Sequence, residues 1–153
     1  MTGSLSFTLH ILGVVAWVGG MVFAMLVLRP ALAVLAGPDR LTLLAQTHRR
    51  FFLIVWHAMP ITLLSGYALL FGWYGGFAGA GVHVHIMHLT GLIMSGVFVY
   101  VALVPWRAMR AALAVPDVAA AAAANDRIRK LVTLNMALGV LTVVVAAWGR
   151  FGG

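Results

Sequence analysis

LSFTLHILGVVAWVGGMVFAMLVL, residues 5–28, decides the fold. It contains no Asp, Glu, Lys or Arg, and a helix needs only ~20 mostly apolar residues to cross the hydrocarbon core of a bilayer. Three further stretches read the same way: residues 51–73, 83–105 and 131–149. The rest of the chain agrees. Of 153 residues, 63% are hydrophobic and only 8% are charged, with a mean hydropathy of +1.06. A soluble domain carries about 25% charged residues. This chain has too few to cover a core with polar surface, which excludes a soluble enzyme or a soluble binding domain. The length fits one domain, residues 1–153. The reading is an all-α integral membrane protein, a four-helix transmembrane bundle. With no basic segment before it and about twice the apolar run of a signal peptide, the first stretch reads as a permanent helix.

The charges set a direction. Arg29, Arg40, Arg49 and Arg50 lie between the first and second spans, and Arg107, Arg110, Arg127, Arg129 and Lys130 between the third and fourth. Only Arg150 falls on the other side. Positive residues collect on the cytoplasmic side, so both termini are expected outside (N-out/C-out), in the periplasm of a bacterial inner membrane. The same placement explains the net charge of +7 without nucleic acid. Leu41 to Phe52 is expected to extend the second helix, after a turn at Gly37-Pro38-Asp39 that Asp39 caps. The alanine run 119–124 prolongs the third helix or opens the fourth, with Pro116-Asp117 marking the turn. Trp106 and Trp148, near helix ends, fit interfacial belts. Gly13, Gly19, Gly20, Gly66, Gly91, Gly96 and Gly139 permit close helix approach, and small-residue faces make a homodimer cheap to form.

What chemistry the spans hold is narrow. The chain has no cysteine, which excludes disulfides, iron–sulfur clusters and thiolate sites. No acid lies within a span, so there are no paired carboxylates, and the Gly-rich segment 72–81 lacks the lysine of a phosphate-binding loop. Six histidines remain, and ionisable residues inside a membrane are functional candidates by default. His10 and His88 lie at comparable depth from the outer side, on different helices. Two imidazoles so placed can ligate heme iron axially, and Arg150 would pair with the heme propionates or snorkel to lipid head groups. On that reading the protein is a small b-type cytochrome near the periplasmic side. It would pass electrons between quinol or another membrane donor and an outer acceptor, with heme-dependent oxidoreductase chemistry left open.

The alternative uses different atoms. His85 and His88, three apart, share a helical face. If the segment were extended instead, His83 and His85 would point to one side. That would make a small surface site for copper or zinc, to which Met87, Met1 and Met21 add thioether donors suited to Cu(I). His57 stands opposite Asn135 for a hydrogen bond, or beside Met136 for a second heme; its role stays open. His48 reads as a solvated residue of the basic face. A third reading is a cofactor-free partner subunit whose histidines only pack.

A resemblance narrows these. Leu9-His10-Ile11 through Trp17, Gly19-Gly20 and Phe23, with Arg29-Pro30-Ala31-Leu32 at the helix's inner end, resembles the first helix of CopD-like membrane proteins. Arg49-Arg50-Phe51 leading to Leu64-Ser65-Gly66-Tyr67, and Arg129-Lys130-Leu131 through Leu138-Gly139, are similar to their second and final helices. The final helix there often carries Glu where this chain has Asn135. The resemblance implies copper handling at the inner membrane, with His83, His85, Met87 and His10 as copper candidates. HemJ-type protoporphyrinogen oxidases are a weaker resemblance, through a histidine in Leu-His-Ile and one opening the third helix. It implies b-type heme on His10 and His88, although Leu89-Thr90-Gly91 replaces the lysine expected after that second histidine.

Overall fold

A computed structural model describes residues 2–151. Four helical rods are long and apolar enough to cross a membrane: Gly3–Val34, Gly37–Trp73, Val82–Ala114 and Val118–Arg150. The first, α1, starts as a regular helix over Thr2–Val14 and passes through two π-helical turns, Val15–Gly19 and Ala24–Leu28, before a 3-10 turn at Leu32–Val34. α2 runs unbroken over Gly37–Trp73, through Pro60. α3 covers Val82–Leu103, the short α4 Pro105–Ala114, and α5 Val118–Arg150. The expected spans are helical, the third breaking only at Val104 between α3 and α4, and the expected extension before residue 51 is the first part of α2. The alanine run opens α5 rather than prolonging α3.

The helix ends follow local chemistry. Proline lacks a backbone N–H to donate, so it suits a first turn, and Pro38 and Pro105 stand there in α2 and α4. Asp39 does not cap α2. Ala36 holds that position without a side-chain bond, and Asp39 lies in the first turn, where its charge favours the helix dipole. Asp117 is the true cap: its Oδ1 accepts from the Ala120 N–H at 2.9 Å. Asp117→Ala is expected to cost about 1 kcal/mol, read as faster amide exchange in the first turn of α5 with the membrane-embedded turns unchanged.

At 1.5 Å per residue, the 33 residues of α5 span about 50 Å, well beyond a hydrocarbon core of about 30 Å. Its first turns therefore project from the basic end of the bundle. There Asp126 pairs with Arg129 and with Lys130 at 3.0 Å. Hydrogen bonds from Arg129, then Lys130, hold its carboxyl below the usual carboxylate range.

α1 packs chiefly on α2, while α3 and α4 pack on α5. The core between these pairs includes Trp17, Met21, Phe52, Val55, Met94, Phe98, Val101 and Ile128. The first pair approaches closely at Gly13, where a Cβ would collide with the Thr62 hydroxyl and sit 3.2 Å from the Ala58 carbonyl oxygen. α5 meets α1 and α3 at Gly139, where a Cβ would lie 2.9 Å from a Val18 methyl and 3.0 Å from the Met94 methyl. Gly19, Gly91 and Gly96 face open space instead.

Candidate functional site

The loop joining α2 to α3 folds as a 3-10 turn at Phe77–Gly79 and lays aromatic rings over the end of the bundle that lacks the basic loops. Phe71 meets Phe77 edge-on with centroids 6.4 Å apart, and Tyr67 stacks on Phe71 at 6.5 Å. Two histidines of α3 join this group. His85 stacks on Phe77 at 5.9 Å and 27°. His88 meets Phe77 edge-on at 5.0 Å and Tyr67 at 5.5 Å. Residues three apart on a helix share a face, so one phenyl ring receives both imidazoles.

His83 goes elsewhere. α3 is helical from Val82, which overturns the extended His83-x-His85 arrangement. Two residues apart on a helix, those side chains diverge. His83 lies against Gly149 near the end of α5, whose hypothetical Cβ would fall 2.7 Å from the imidazole Nδ1. Met87, four residues on, shares the His83 face and is half-buried. α3 therefore presents two donor pairs, His85 with His88 and His83 with Met87. Met1 lies outside the described residues, and Met21 is buried in the core at 2% exposure, away from both pairs in sequence and on another helix. Among the described residues no group of three His, Cys, Asp or Glu side chains forms a metal-sized cluster.

His10 sits deeper, half-buried in the α1–α2 contact. Its Nδ1 donates to the Thr62 carbonyl oxygen at 2.9 Å, and its ring packs 3.1 Å from where a Gly66 Cβ would be. A carbonyl can only accept, so Nδ1 carries a proton, and in the neutral ring Nε2 keeps its lone pair. This outer hydrogen bond is the kind that orients a metal-ligating imidazole. His10 meets α2 at Thr62 and His88 meets it at Tyr67, just over one helical turn apart. They engage different faces of that helix, and no hydrogen bond or ring contact joins them among the described residues. The arrangement gives no support for a heme held between them. Arg150 is exposed at the last turn of α5 with no ion pair among the described residues, where a cation complements the helix dipole.

Two expectations for the other histidines change. His57 does not reach Asn135: it is exposed and bonds the Leu53 carbonyl of its own helix at 2.8 Å. His48 is not solvated. It is half-buried, hydrogen-bonded through Nε2 to the Asn125 Oδ1 at 3.2 Å, and stacked on Phe52 at 5.4 Å, with Trp106 edge-on at 6.1 Å. Trp106 accordingly belongs to an internal aromatic cluster rather than an interfacial belt.

Asn135 is the buried polar residue of mid-bundle. At 3% exposure, its Nδ2 donates to the Met94 carbonyl at 3.2 Å, while its Oδ1 has no partner. It borders a cavity of about 10 Å³ beside Trp17 and Met21, about the minimum for one water. Losing one hydrogen bond costs ~1 kcal/mol, and a buried orphan acceptor costs ~1–3 kcal/mol. Asn135→Leu is therefore expected to leave thermal stability in detergent within about 1 kcal/mol of the parent. A much larger loss would show that Oδ1 has a bound partner.

Sequence reasoning missed Phe77 and Tyr67 as walls around the histidines. Phe77 lies in the aromatic, Gly-rich segment 72–81, whereas Tyr67 lies in the second span, where nothing in the sequence marks it as facing a histidine.

A family model described as copper resistance protein D, CopD, matches residues 45–149, more than half of the chain. The match takes in His83, His85, Met87 and His88 and stops short of His10 and Arg150. No curated protein and no solved structure matches the chain. The match supports the first of the two family resemblances and does not extend to the second. With four membrane-crossing rods and this match over most of them, the chain belongs to the copper resistance protein D family and is a multi-pass inner-membrane protein.

Proposed function

We propose that this protein handles copper as cargo at the outer face of the inner membrane, taking it up on His85 and His88 of α3. The family match carries this reading. The site supports it: two imidazoles on one helical face, both against Phe77, in a chain with no competing thiolate. Imidazole and thioether donors suit copper, and thioether favours the Cu(I) state. A two-imidazole site matches a transported ion, because Cu(I) accepts low coordination and a site with few ligands releases its ion readily. The His83 and Met87 pair on the other face of α3 offers a second resting place, and the free Nε2 of His10 a deeper one. The outer assignment follows from the arginine-rich loops at the opposite end of the bundle.

The heme b reading, with electron transfer from quinol, requires His10 and His88 to face one another, and no observation here favours it. One preparation separates the readings. Protein purified in detergent from copper-supplemented cells is expected to carry copper and to show no Soret band. A Soret band that shifts on reduction, with iron in place of copper, would overturn the copper reading in favour of heme. Absence of any bound metal after copper loading would leave a cofactor-free subunit.

A further inference from the structure

At the opposite end of the bundle, α1, α2 and α5 line a small, partly open groove that no part of the copper reading uses. Its lower wall is apolar, with Met25 and Leu28 of α1 and Val132 of α5. Its upper wall is cationic and polar, with Arg29 of α1, Arg129 of α5 and Thr47 of α2. The charges here do not balance. Arg29 feels Arg129 and Arg40 as like charges and Asp126 as the opposing one. Asp126 is already shared between Arg129 and Lys130. Arg29, only half-exposed, has no carboxylate within salt-bridge distance among the described residues. His48 also borders the groove, but its Nε2 is engaged by Asn125.

Four cations around one carboxylate repel unless an anion joins them. The anion must also suit an apolar lower wall, beside which Leu26 and Val27 of α1 are exposed. A free inorganic anion meets the first condition only. We propose that this groove binds the phosphate of an anionic phospholipid of the cytoplasmic leaflet. Arg29, joined by the Nη1 of Arg129 whose Nε and Nη2 hold Asp126, would grip the phosphate oxygens, and the first part of an acyl chain would lie along Met25, Leu28 and Val132. Arginine suits this task because its planar fork meets two phosphate oxygens at once. Basic pockets between transmembrane helices on the cytoplasmic side bind such head groups.

The test uses the full chain in mild detergent, titrated with phosphatidylglycerol or with phosphatidylcholine of the same acyl chains. Bound lipid is counted by native mass spectrometry, and thermal stability is followed in parallel. Phosphatidylglycerol is expected to be retained and to raise the melting temperature, with phosphatidylcholine doing neither. Arg29→Gln with Arg129→Gln is expected to weaken phosphatidylglycerol retention about tenfold or more, while Arg107→Gln with Arg110→Gln, elsewhere on the basic end, leaves it unchanged. Equal loss in both double variants would mean a diffuse charge effect and overturn the site. Stabilisation by millimolar inorganic phosphate, matched by phosphatidylglycerol only through its charge and not retained in the spectrum, would mean a free-anion site and overturn the lipid assignment. Should the Arg29 and Arg129 variant not fold, the parent protein decides: equal stabilisation by the two lipids would overturn the proposal.

Discussion

Replacing Gly13 by leucine is expected to separate α1 from α2 and to lower stability by about 3 kcal/mol or more, at the upper end of what overpacking costs. The contact admits no side chain: even a Cβ at position 13 would overlap the Thr62 hydroxyl and crowd the Ala58 carbonyl. The hydroxyl is one side-chain atom, whereas the carbonyl is backbone and cannot turn away. A smaller change isolates the two terms. Gly13→Ala is expected to be tolerated better in a Thr62→Ala background than alone, because the nearest obstacle is then gone. The measurement is a double-mutant cycle on thermal unfolding in detergent. If Gly13→Leu melts like the parent, α1 is not seated on α2 as described, and the environment of His10 falls with it.

Replacing His85 and His88 together by alanine is expected to lower Cu(I) affinity by at least about 100-fold, which is about 3 kcal/mol. His57→Ala is the matched control. That ring is exposed and bonded to its own helix, so its loss leaves affinity unchanged. Competition with a Cu(I) chelator reads both. His83→Ala is expected to have a smaller effect, because His83 lies against α5 at Gly149 rather than beside Phe77. A full effect from His83 with none from His88 would reverse the assignment of the two faces.

The four spans were legible because each is a long run without charge, and nothing in a soluble fold explains such runs. The helical extension of α2 was legible from apolar positions in a basic loop, and the structure buries Leu41 and Leu44 there. Helix caps were half legible. Asp117 and Asp39 look alike in sequence, yet only Asp117 lies just before its helix begins, and the Gly37-Pro38 start moves Asp39 into the first turn. The histidines were the hardest part. Approximate depth follows from counting residues: His10 meets α2 at Thr62 and His88 meets it at Tyr67, just over a turn apart. Facing does not follow from depth. Which side of α2 each ring meets depends on how the helices rotate about their axes, and a nearly uniform Leu/Val/Ala surface leaves that rotation unspecified. His48 shows the same limit. Its basic neighbours Arg49 and Arg50 are exposed, while its own ring turns inward to Phe52 and Asn125.

X-ray absorption at the copper edge of Cu(I)-loaded protein tests the central claim most directly. Copper held by His85 and His88 is predicted to show low coordination by nitrogen donors with the outer-shell scattering of imidazole rings, and His85→Ala with His88→Ala is predicted to abolish that signature. Scattering without imidazole in the parent protein, or a spectrum unchanged in the double variant, would contradict the account.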